Sequence, residues 1–371
     1  MEFEFFAEGL EAICSHSLVA PDRSLCWTVI ANPVAGGFTI HSCWKRHRKA
    51  LNACVARAAQ NPLREGAGPS RIAREWGGGD SLGNRGLLLT RGPGDAAAIV
   101  KALIDKAGED ARNRAPGISL IISAGGDGTS LEVMTALYAA PPAIRSAFAV
   151  LRLPMGTGND GADAWELGDA LELLINPVTL ARQRGLVLRT ATEGKGPFLA
   201  FNILSVGLDA FVTYMTNRMK GRFSGDFYKL WVDIAALFYD RLYKVGPLEI
   251  HVYDEAERIV NTLEEKVLLL AVGVTGHRTY GSHKRILPDD RNVCIVRQMS
   301  LFRKLALKGL FSTGGHVGIP EAILFSAFKV RFRGREPILA QMDGEAVLLD
   351  PADFPASIEL TEPAIPVLKR I

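Results

Sequence analysis

Apolar runs of strand length alternate with stretches of helical periodicity through the first half of the chain. Three such pairs are residues 27–31 with 44–59, residues 86–89 with 95–107, and residues 118–122 with 130–139. Repeated alternation of this kind is typical of a parallel sheet whose strands are joined by crossover helices. The pattern therefore predicts an α/β domain with a parallel sheet over residues 25–180.

From about residue 181 the apolar runs become shorter and follow the two-residue alternation of strands. The six clearest runs are residues 187–189, 198–201, 248–252, 266–274, 293–297 and 327–333. This pattern favours a mainly antiparallel β domain over residues 181–371. Two helical stretches, residues 227–243 and 301–311, interrupt it and mix apolar side chains with Lys and Arg. They predict either an amphipathic surface for a membrane or, as helical periodicity favours, helices packed on the sheet.

Two segments differ from this plan. Residues 1–24 form a predicted N-terminal extension, in which Phe3, Phe5 and Phe6 are available to dock on a domain surface. Residues 61–83 are rich in Gly, Arg and Pro, which predicts a long exposed insertion between the first two strands.

A glycine-rich stretch, SAGGDGT at residues 123–129, directly follows the apolar run 118–122. Glycines let backbone amides approach an anion, and the start of the following helix adds a favourable dipole, so the pattern predicts a phosphate site. Asp127 would repel a phosphate unless a cation lies between them. The loop therefore indicates a nucleotide that is held through a divalent metal such as magnesium.

A second loop of the same kind, PMGTGND at residues 154–160, ends the strand-like run 149–153. Ligands of parallel sheets bind beyond the carboxyl ends of the strands, and both loops are predicted to lie there. Asp160 adds a second carboxylate to the expected metal site. It could also cap a helix that begins near Gly161.

Composition narrows the class of protein. The 371 residues have room for two domains, and the 43 Lys and Arg against 40 acidic residues leave a net charge of +3, which argues against nucleic-acid binding. The five cysteines form no C-x-x-C pair, which favours a reduced cytosolic setting without a zinc site. The acidic start of the chain is unlike a signal peptide, and no stretch approaches the ~20 apolar residues of a spanning helix. We therefore expect a cytoplasmic protein whose membrane contact is peripheral and transient.

Six motifs follow one another in a specific order. They are NPVAGG at residues 32–37, TRGPGDA at 90–96, GGDGT at 125–129, PMGTGND at 154–160, NILSVGLDA at 202–210 and DGE at 343–345. In this order the chain resembles the diacylglycerol-kinase-type lipid kinases, whose eukaryotic relatives include the sphingosine kinases. Ala35 stands where that family usually has serine or another small residue.

The resemblance implies an ATP- and Mg²⁺-dependent kinase of a lipid alcohol such as diacylglycerol. A Rossmann-like N-terminal domain would bind the nucleotide, and the β-rich C-terminal domain would bind the lipid, with Asp209 at its site. The nucleotide-binding residues that it implies are Asn32, Gly36, Thr90, Gly125, Gly126, Gly128, Thr129, Glu132, Gly156, Thr157 and Asn159. Two alternatives stay open: Asn32 as the start of an Asn-Pro turn, and Glu132 as an exposed helix charge.

The catalytic carboxylates are also implied by the resemblance. Asp343 of the DGE motif is expected to act as general base toward the lipid hydroxyl, and Asp127 to hold magnesium together with Asp160. In the sphingosine branch the aspartate of GGD takes the base role, so an exchange of roles between Asp343 and Asp127 stays open. An Asp-Gly pair between two strand-like runs is also a hairpin signal, and a turn alone would explain Asp343.

One segment departs from the family pattern. Some bacterial members bind a structural magnesium in the second domain, next to an acidic residue that is followed by glycine. Here residues 287–293 have the sequence LPDDRNV, and Arg291 replaces that glycine. Asp289 or Asp290 could still hold the cation, or Arg291 could neutralise the site.

Two other functions stay open. An NAD kinase shares the GGDGT motif but lacks the G-T-x-N-D segment found here, whereas a non-catalytic lipid or nucleotide sensor would keep the fold without turnover. The expected partners are a lipid alcohol as substrate and the surface of a membrane. Unpaired edge strands of the β domain would offer a surface for a homodimer.

Overall fold

The computed structural model describes residues 2–75, 83–110, 117–219, 239, 244–280 and 284–371. The chain divides into two compact units: unit 1 comprises Met1–Gln183 with Pro363–Ile371, and unit 2 comprises Arg184–Glu362. Unit 1 is an α/β domain and unit 2 is mainly an antiparallel β domain, which confirms the predicted fold class. The sequence pattern assigned residues 363–371 to the second domain, whereas the structure includes them in unit 1.

Strands and helices are numbered here in chain order over the described residues. The strands are β1 (Ser24–Ala31), β2 (Ala67–Pro69), β3 (Leu87–Leu89), β4 (Gly117–Gly125), β5 (Phe148–Pro154), β6 (Val178–Gln183), β7 (Leu186–Arg189), β8 (Phe198–Ala200), β9 (Ile203–Gly207), β10 (Pro247–Tyr253), β11 (Ile259–Gly273), β12 (Arg278–Tyr280), β13 (Lys284–Leu287), β14 (Val293–Arg297), β15 (Ala322–Phe325), β16 (Lys329–Arg333), β17 (Ile338–Met342), β18 (Glu345–Leu349), β19 (Ala356–Leu360) and β20 (Ile365–Arg370). The α-helices are α1 (Glu2–Ser15), α2 (Gly36–Thr39), α3 (His41–Ala58), α4 (Arg71–Glu75), α5 (Asp95–Asp110), α6 (Asp127–Tyr138), α7 (Pro142–Arg145), α8 (Leu167–Ile175), α9 (Leu208–Met219) and α10 (Leu301–Thr313).

The sheet of unit 1 has the strand order β2-β1-β4-β5-β20-β6, and β3 pairs with β1 beside β2. Its pairs are parallel except that of β20 with β6. Strands β1, β4 and β5 are therefore neighbours that run in one direction. Their carboxyl ends lie at the same edge of the sheet, which is where ligands of such sheets bind.

The N-terminal helix α1 is part of the core of unit 1. Phe6, Leu10 and Ile13 of this helix are completely buried. The Phe6 ring lies 5.2 Å from the ring of Phe38, which in turn lies 5.8 Å from Trp44. Tilted and edge-to-face aromatic contacts of this kind add to the burial energy. The predicted extension thus packs against the residues that directly follow the first motif.

The segment predicted as an exposed insertion contains a strand and a short helix before residues 76–82, which lie outside the described residues. Strand β2 pairs in parallel with β1, with Leu25 opposite Ala67. Helix α4 follows, and its Ala73 is completely buried. The prediction missed this strand because three residues of Ala-Gly-Pro carry no alternation.

Unit 2 is built on an antiparallel sheet in the order β18-β17-β9-β11-β10-β16-β19-β7-β8, with β14 on β11 and β15 on β14. Its core includes Ile250, Leu270 and Phe332, all at most 1% exposed. Helix α10 coincides with the predicted helix 301–311. Apart from Tyr239, the predicted helix 227–243 lies outside the described residues. No helix among the described ranges has the length and hydropathy needed to cross a membrane.

Candidate active site

Three loops follow the adjacent parallel strands of unit 1. Loop 1 (residues 32–37) follows β1, loop 2 (residues 125–129) joins β4 to α6, and loop 3 (residues 155–160) follows β5. Backbone hydrogen bonds connect them: the Asn32 amide donates to the Ala124 carbonyl at 3.0 Å, and the Gly37 amide donates to the Met155 carbonyl at 2.8 Å. The structure therefore brings together three of the four motifs that the sequence predicts in this domain.

Loops 2 and 3 touch through glycine backbone. A Cβ atom at Gly156 would lie only 2.4 Å from the Cα atom of Gly126. Real Cβ atoms do not come this close to backbone, so Gly156 is required by the close approach of two chains. The contact fixes loop 3 directly over the start of α6.

Helix α6 begins in loop 2, and its N-cap Gly126 has no side chain to satisfy the first amides. The first N–H groups of an α-helix have no partner within the helix and carry a partial positive charge. This arrangement matches the anion sites found at helix N-termini. The predicted residues Gly125, Gly128 and Thr129 belong to this same turn.

Asn32 links loop 1 to loop 2. Its Nδ2 donates to the Thr129 Oγ1 at 3.4 Å, and its Oδ1 accepts the Val34 amide at 3.1 Å. The second contact is the turn that the Asn-Pro alternative predicted. Asn32 therefore has both a local role in the turn and a position next to the predicted phosphate loop.

Two carboxylates approach the same point of loop 3. A Cβ atom at Gly158 would lie 2.9 Å from Asp127 Oδ2 and 3.6 Å from Asp160 Oδ2. The other oxygen of Asp127, Oδ1, accepts the Gly161 amide at 2.9 Å and is fixed by it. Magnesium in phosphate sites commonly takes one or two carboxylates and fills its other positions with water and phosphate. The donor set of Asp127 and Asp160 therefore fits this ion.

The other predicted residues of loops 1 and 3 mainly shape the loops. Asn159 has a φ of 58° and closes loop 3 on itself, because its Oδ1 accepts the Gly156 amide at 2.6 Å and its Nδ2 donates to the Gly156 carbonyl at 2.9 Å. Thr157 is exposed and faces loop 1, since a Cβ atom at Gly36 would lie 3.3 Å from its Oγ1. Their contacts with a nucleotide stay a prediction.

Glu132 has a role that the sequence analysis did not consider. Its Oε1 accepts the Gly94 amide at 2.8 Å, and its Oε2 accepts the Ala97 amide at 3.4 Å. Gly94 directly precedes α5 and Ala97 is its third residue, so Glu132 caps that helix from α6. A carboxylate is favourable at a helix N-terminus. Thr90 lies just before this turn, with its amide donating to the Ala31 carbonyl at 2.9 Å.

A buried ion pair supports loop 3, and the sequence analysis missed it. Arg152 of β5 and Asp163 have side chains only 7% and 8% exposed, and the guanidinium Nη2 lies 2.5 Å from Asp163 Oδ1. The available signal was a single Arg in the apolar run 149–153. Such a residue needs a buried partner, because an unpaired charge in a core is costly.

Asp343 in unit 2 forms the hairpin turn that its Asp-Gly sequence predicts. Asp343 and Gly344 have φ values of 45° and 98°, and they connect β17 to β18 with Met342 opposite Glu345. Positive φ at both central residues is typical of the type I′ turn. The carboxylate therefore projects from a position that the turn fixes.

Three consecutive amides hold the Asp343 carboxylate. Its Oδ2 accepts the Phe201 amide, its Oδ1 accepts the Ile203 amide at 2.9 Å, and the Asn202 amide lies 3.1 and 3.2 Å from the two oxygens. Hydrogen bonds of this kind stabilise the negative charge. The side chain thus joins the hairpin to the segment that leads into β9.

Asp209 belongs to a buried polar network. The Ser205 hydroxyl donates to its Oδ2 at 2.5 Å, and the Gln341 amide donates to the same oxygen at 3.0 Å. The Gln341 Oε1 in turn accepts the Gly344 amide at 3.0 Å. Asp209 is therefore connected through one side chain to the turn that carries Asp343.

An apolar pocket of about 140 Å³ opens beside this network in unit 2. It is lined by Leu208, Asp209, Val212, Leu268, Leu269, Tyr280, Lys284, Val296, Met299, Lys304, Lys308, Phe311 and Ser312. Pockets of this type, apolar with a few polar groups, are typical of small-molecule sites. Asp209 is the residue of the predicted lipid site that the structure places at this pocket.

At the predicted cation site of the second domain, the Arg291 side chain pairs with Asp289. The guanidinium Nε donates to Asp289 at 3.0 and 3.1 Å, and Nη2 forms an ion pair with it. These hydrogen bonds lower the pKa of the Asp289 carboxyl and raise the pKa of Arg291. Asp290 is fully exposed and pairs with His277 at 3.0 Å. Within the described ranges, no group of three or more His, Cys, Asp and Glu side chains is arranged to hold a metal.

Comparison with known proteins matches part of the chain to a family model and nearly the whole chain to solved structures. The family described as diacylglycerol kinase catalytic domain matches residues 26–187, the part of the chain that contains loops 1 to 3. No curated protein matches the sequence.

Solved structures of similar fold cover nearly the whole chain. One is described as "a putative diacylglycerol kinase from Bacillus anthracis str. Sterne"; it has 18% identity and a TM-score of 0.54, and the match covers 93% of this chain and 96% of that chain. Another, described as a diacylglycerol kinase from the same organism, has 16% identity and a TM-score of 0.51 over the same shares. At these identities the likeness shows the fold.

Proposed function

Because the family model of the diacylglycerol kinase catalytic domain matches residues 26–187, we propose that the protein is an ATP- and Mg²⁺-dependent lipid kinase. It transfers the γ-phosphate of ATP to the hydroxyl of a lipid alcohol such as diacylglycerol. The observation that carries the proposal is the approach of Asp127 and Asp160 to one point at Gly158, directly at the uncapped start of α6. The amides that would bind the phosphates and the carboxylates that would bind the metal therefore lie side by side.

In this proposal the amides of loop 2 and of the first turn of α6 bind the phosphates of ATP. Asn32 holds loop 1 against loop 2, and the contact of Gly156 with Gly126 holds loop 3 in place. Phosphoryl transfer passes through a loose transition state, so positioning and charge stabilisation supply most of the catalysis. Rigid backbone contacts of this kind are what the reaction requires.

Asp127 and Asp160 are the residues that would hold Mg²⁺. The bound ion would neutralise charge on the phosphates during transfer. Asp127 is fixed for this purpose by the Gly161 amide. Asp289 has its charge matched by Arg291 instead, and we assign it a structural role in unit 2.

Asp343 is our first candidate for accepting the proton of the lipid hydroxyl, with Asp127 as the alternative. Its carboxylate is held in one orientation by the amides of residues 201–203. In a loose transition state the hydroxyl becomes acidic late, so an ionised carboxylate can accept its proton. The apolar pocket beside Asp209 would accommodate part of an acyl chain.

A substrate of this class resides in a bilayer. The protein would therefore bind membranes transiently, and its free cysteines favour action in the cytoplasm. The phosphorylated lipid would return to the membrane through the same transient contact.

The proposal is tested by incubating the purified protein with ATP labelled in the γ-phosphate, Mg²⁺ and lipid alcohols in mixed micelles. Diacylglycerol, phosphatidylglycerol, ceramide and a sphingoid base form the lipid panel, and NAD serves as a non-lipid acceptor. We expect label in one lipid, and a loss of about 10² or more in rate for Asp127→Asn. The matched control is Asp105→Asn, the same chemical change on the exposed side of α5, which should keep the wild-type rate.

The outcomes separate the functions that stay open. Label in NADP would favour an NAD kinase. Binding of ATP without transfer to any acceptor would favour a sensor. An equal loss in Asp127→Asn and Asp105→Asn would contradict the role assigned to Asp127.

A further inference from the structure

Helix α10 presents an apolar face to solvent. Phe302 is 83% exposed and Leu305 is 49% exposed, and Ala306 and Gly309 are exposed as well. These four positions have the spacing i, i+3, i+4 and i+7, so they lie on one side of the helix. The solvent side of a surface helix normally carries polar residues. In α10 part of the solvent side is apolar instead.

The orientation of α10 is fixed by well-formed contacts. Ser300 caps its N-terminus by accepting the Arg303 amide at 3.4 Å, and Gly314 ends it in the left-handed conformation. On the inner side Leu307 is 5% exposed. Just past the helix, His316 stacks on the Phe311 ring at 4.6 Å. Phe302 is therefore exposed on a helix that is capped at both ends and packed against unit 2.

Charge on α10 has one sign. The helix contains Arg303, Lys304 and Lys308 and no acidic residue. Arg303 forms an ion pair with Glu321 at 2.6 Å, while Lys304 and Lys308 line the apolar pocket of unit 2. An exposed apolar face flanked by Lys and Arg is the pattern of helices that lie in the interface of an anionic membrane.

We propose that α10 is a membrane-docking helix that binds an anionic bilayer through Phe302 and Leu305. The two side chains enter the boundary between headgroups and acyl chains, and Lys308 lies next to lipid phosphates. The pocket shares Lys304 and Lys308 with this helix, so the docking helix forms part of the wall of the pocket. The inference rests on the proposed function, since it names the surface for the transient membrane binding proposed there, although docking itself requires no phosphoryl transfer.

A second copy of the chain is a poorer occupant of this face. A two-fold interface centred on α10 would bring the same basic residues of both copies together. Like charges in one interface are repulsive. Anionic headgroups complement these charges, and hydrocarbon complements Phe302 and Leu305.

The test is co-sedimentation of the full-length protein with vesicles, one set of phosphatidylcholine with phosphatidylglycerol and one of phosphatidylcholine alone. We expect binding to the anionic vesicles, and a decrease of about tenfold or more in the partition coefficient for the double variant Phe302→Ser with Leu305→Ser. The matched control is Ile259→Ser with Val260→Ser, which removes two apolar residues of β11 that are 55% and 54% exposed. The melting temperatures of both variants should stay at the wild-type value, since the altered side chains are on the surface.

Three results would overturn the proposal. They are an absence of vesicle binding by the wild type, equal binding by wild type and the α10 variant, or equal losses in the α10 variant and the control. A change from dimer to monomer in the α10 variant, with vesicle binding unchanged, would identify the face as a contact between copies. Vesicle binding without kinase activity would support the docking helix and contradict the proposed function, so the two failures are distinguishable.

Discussion

Arg152 and Asp163 form a buried ion pair that closes the base of loop 3. Two guanidinium nitrogens of Arg152, Nε and Nη2, donate to Asp163 Oδ1 at 3.2 and 2.5 Å, and the Arg152 amide donates to Oδ2 at 2.7 Å. The Asp163 amide returns a hydrogen bond to the Arg152 carbonyl at 3.1 Å. The position of loop 3, and with it of Asp160, therefore depends on a charged pair between β5 and the segment that follows the loop.

We expect Arg152→Met to destabilise unit 1 by about 3–5 kcal/mol, because it leaves the Asp163 carboxylate buried without its cation. The measurement is the free energy of unfolding in urea. Binding of ATP should weaken as well, since loop 3 loses its support.

The control for this prediction is Arg57→Met. Arg57 also pairs with an acidic residue, Glu172, but their side chains are 49% and 26% exposed. Solvent screens such a pair, and its loss should change stability by about 1 kcal/mol or less. Equal effects of the two variants would show that the buried pair has no special role.

Gly156→Ala should separate loops 2 and 3. The new Cβ atom would lie 2.4 Å from the Gly126 Cα, and backbone on both sides must move to accommodate it. A displacement of about 1 Å in a positioned site can reduce the rate by about 10². We expect losses of this order in ATP-dependent activity and a weaker ATP affinity by calorimetry.

Gly92→Ala is the matched control, because a Cβ atom there meets nothing within 4 Å. It should keep both the affinity and the activity of the wild type. If Gly156→Ala bound ATP as tightly as Gly92→Ala, the contact of the two loops would not be part of the nucleotide site.

The sequence predicted the parts of the fold that local pattern determines. The apolar runs at residues 118–122 and 149–153 lie within β4 and β5, and the glycine motifs follow them directly. Periodicity also located α3 and α10 to within a few residues. Each of these elements carries its own hydrophobic signal.

Elements that depend on distant partners were not predictable in this way. Strand β20 pairs with β5 and β6, more than 180 residues earlier in the chain, and its sequence alone does not indicate that sheet. The same holds within the site. The capping role of Glu132 and the amides around Asp343 come from segments that are remote in sequence. Tertiary contacts of this kind leave no periodic pattern.

The buried side chain of His316 should make the folded protein less stable in mild acid. It is completely buried, and burial lowers its pKa from the usual value near 6.5, partly offset by its hydrogen bond to the Ile286 carbonyl at 3.0 Å. The unfolded state therefore binds a proton more readily than the folded state, so stability falls as pH decreases below ~6.5. The free energy of unfolding should be lower at about pH 5.5 than at pH 7.5.

His316→Phe tests the assignment, since it keeps an aromatic ring against Phe311 and removes the titrating group. The difference in unfolding free energy between the two pH values should become smaller in this variant. His47, whose pKa burial also lowers, should account for part of the remaining difference. An unchanged pH dependence in His316→Phe would assign the effect to other groups.

The roles of Asp343 and Asp127 can be separated by comparing their asparagine variants. Asn is tolerated at the first position of a type I′ turn, so Asp343→Asn should keep the hairpin. The variant loses one acceptor for the amides of residues 201–203, which should destabilise unit 2 by about 1–3 kcal/mol. If Asp343 is the general base, kcat should fall by about 10²–10⁴ while the Mg²⁺ concentration for half-maximal activity stays constant.

Asp127→Asn should raise that Mg²⁺ concentration, because it removes one of the two carboxylates near Gly158. The measurement is kcat as a function of Mg²⁺ for both variants and the wild type. The opposite result is an unchanged kcat in Asp343→Asn and a lowered kcat with constant Mg²⁺ dependence in Asp127→Asn. It would identify Asp127 as the general base. The amides around Asp343 would then serve only to connect the hairpin to β9.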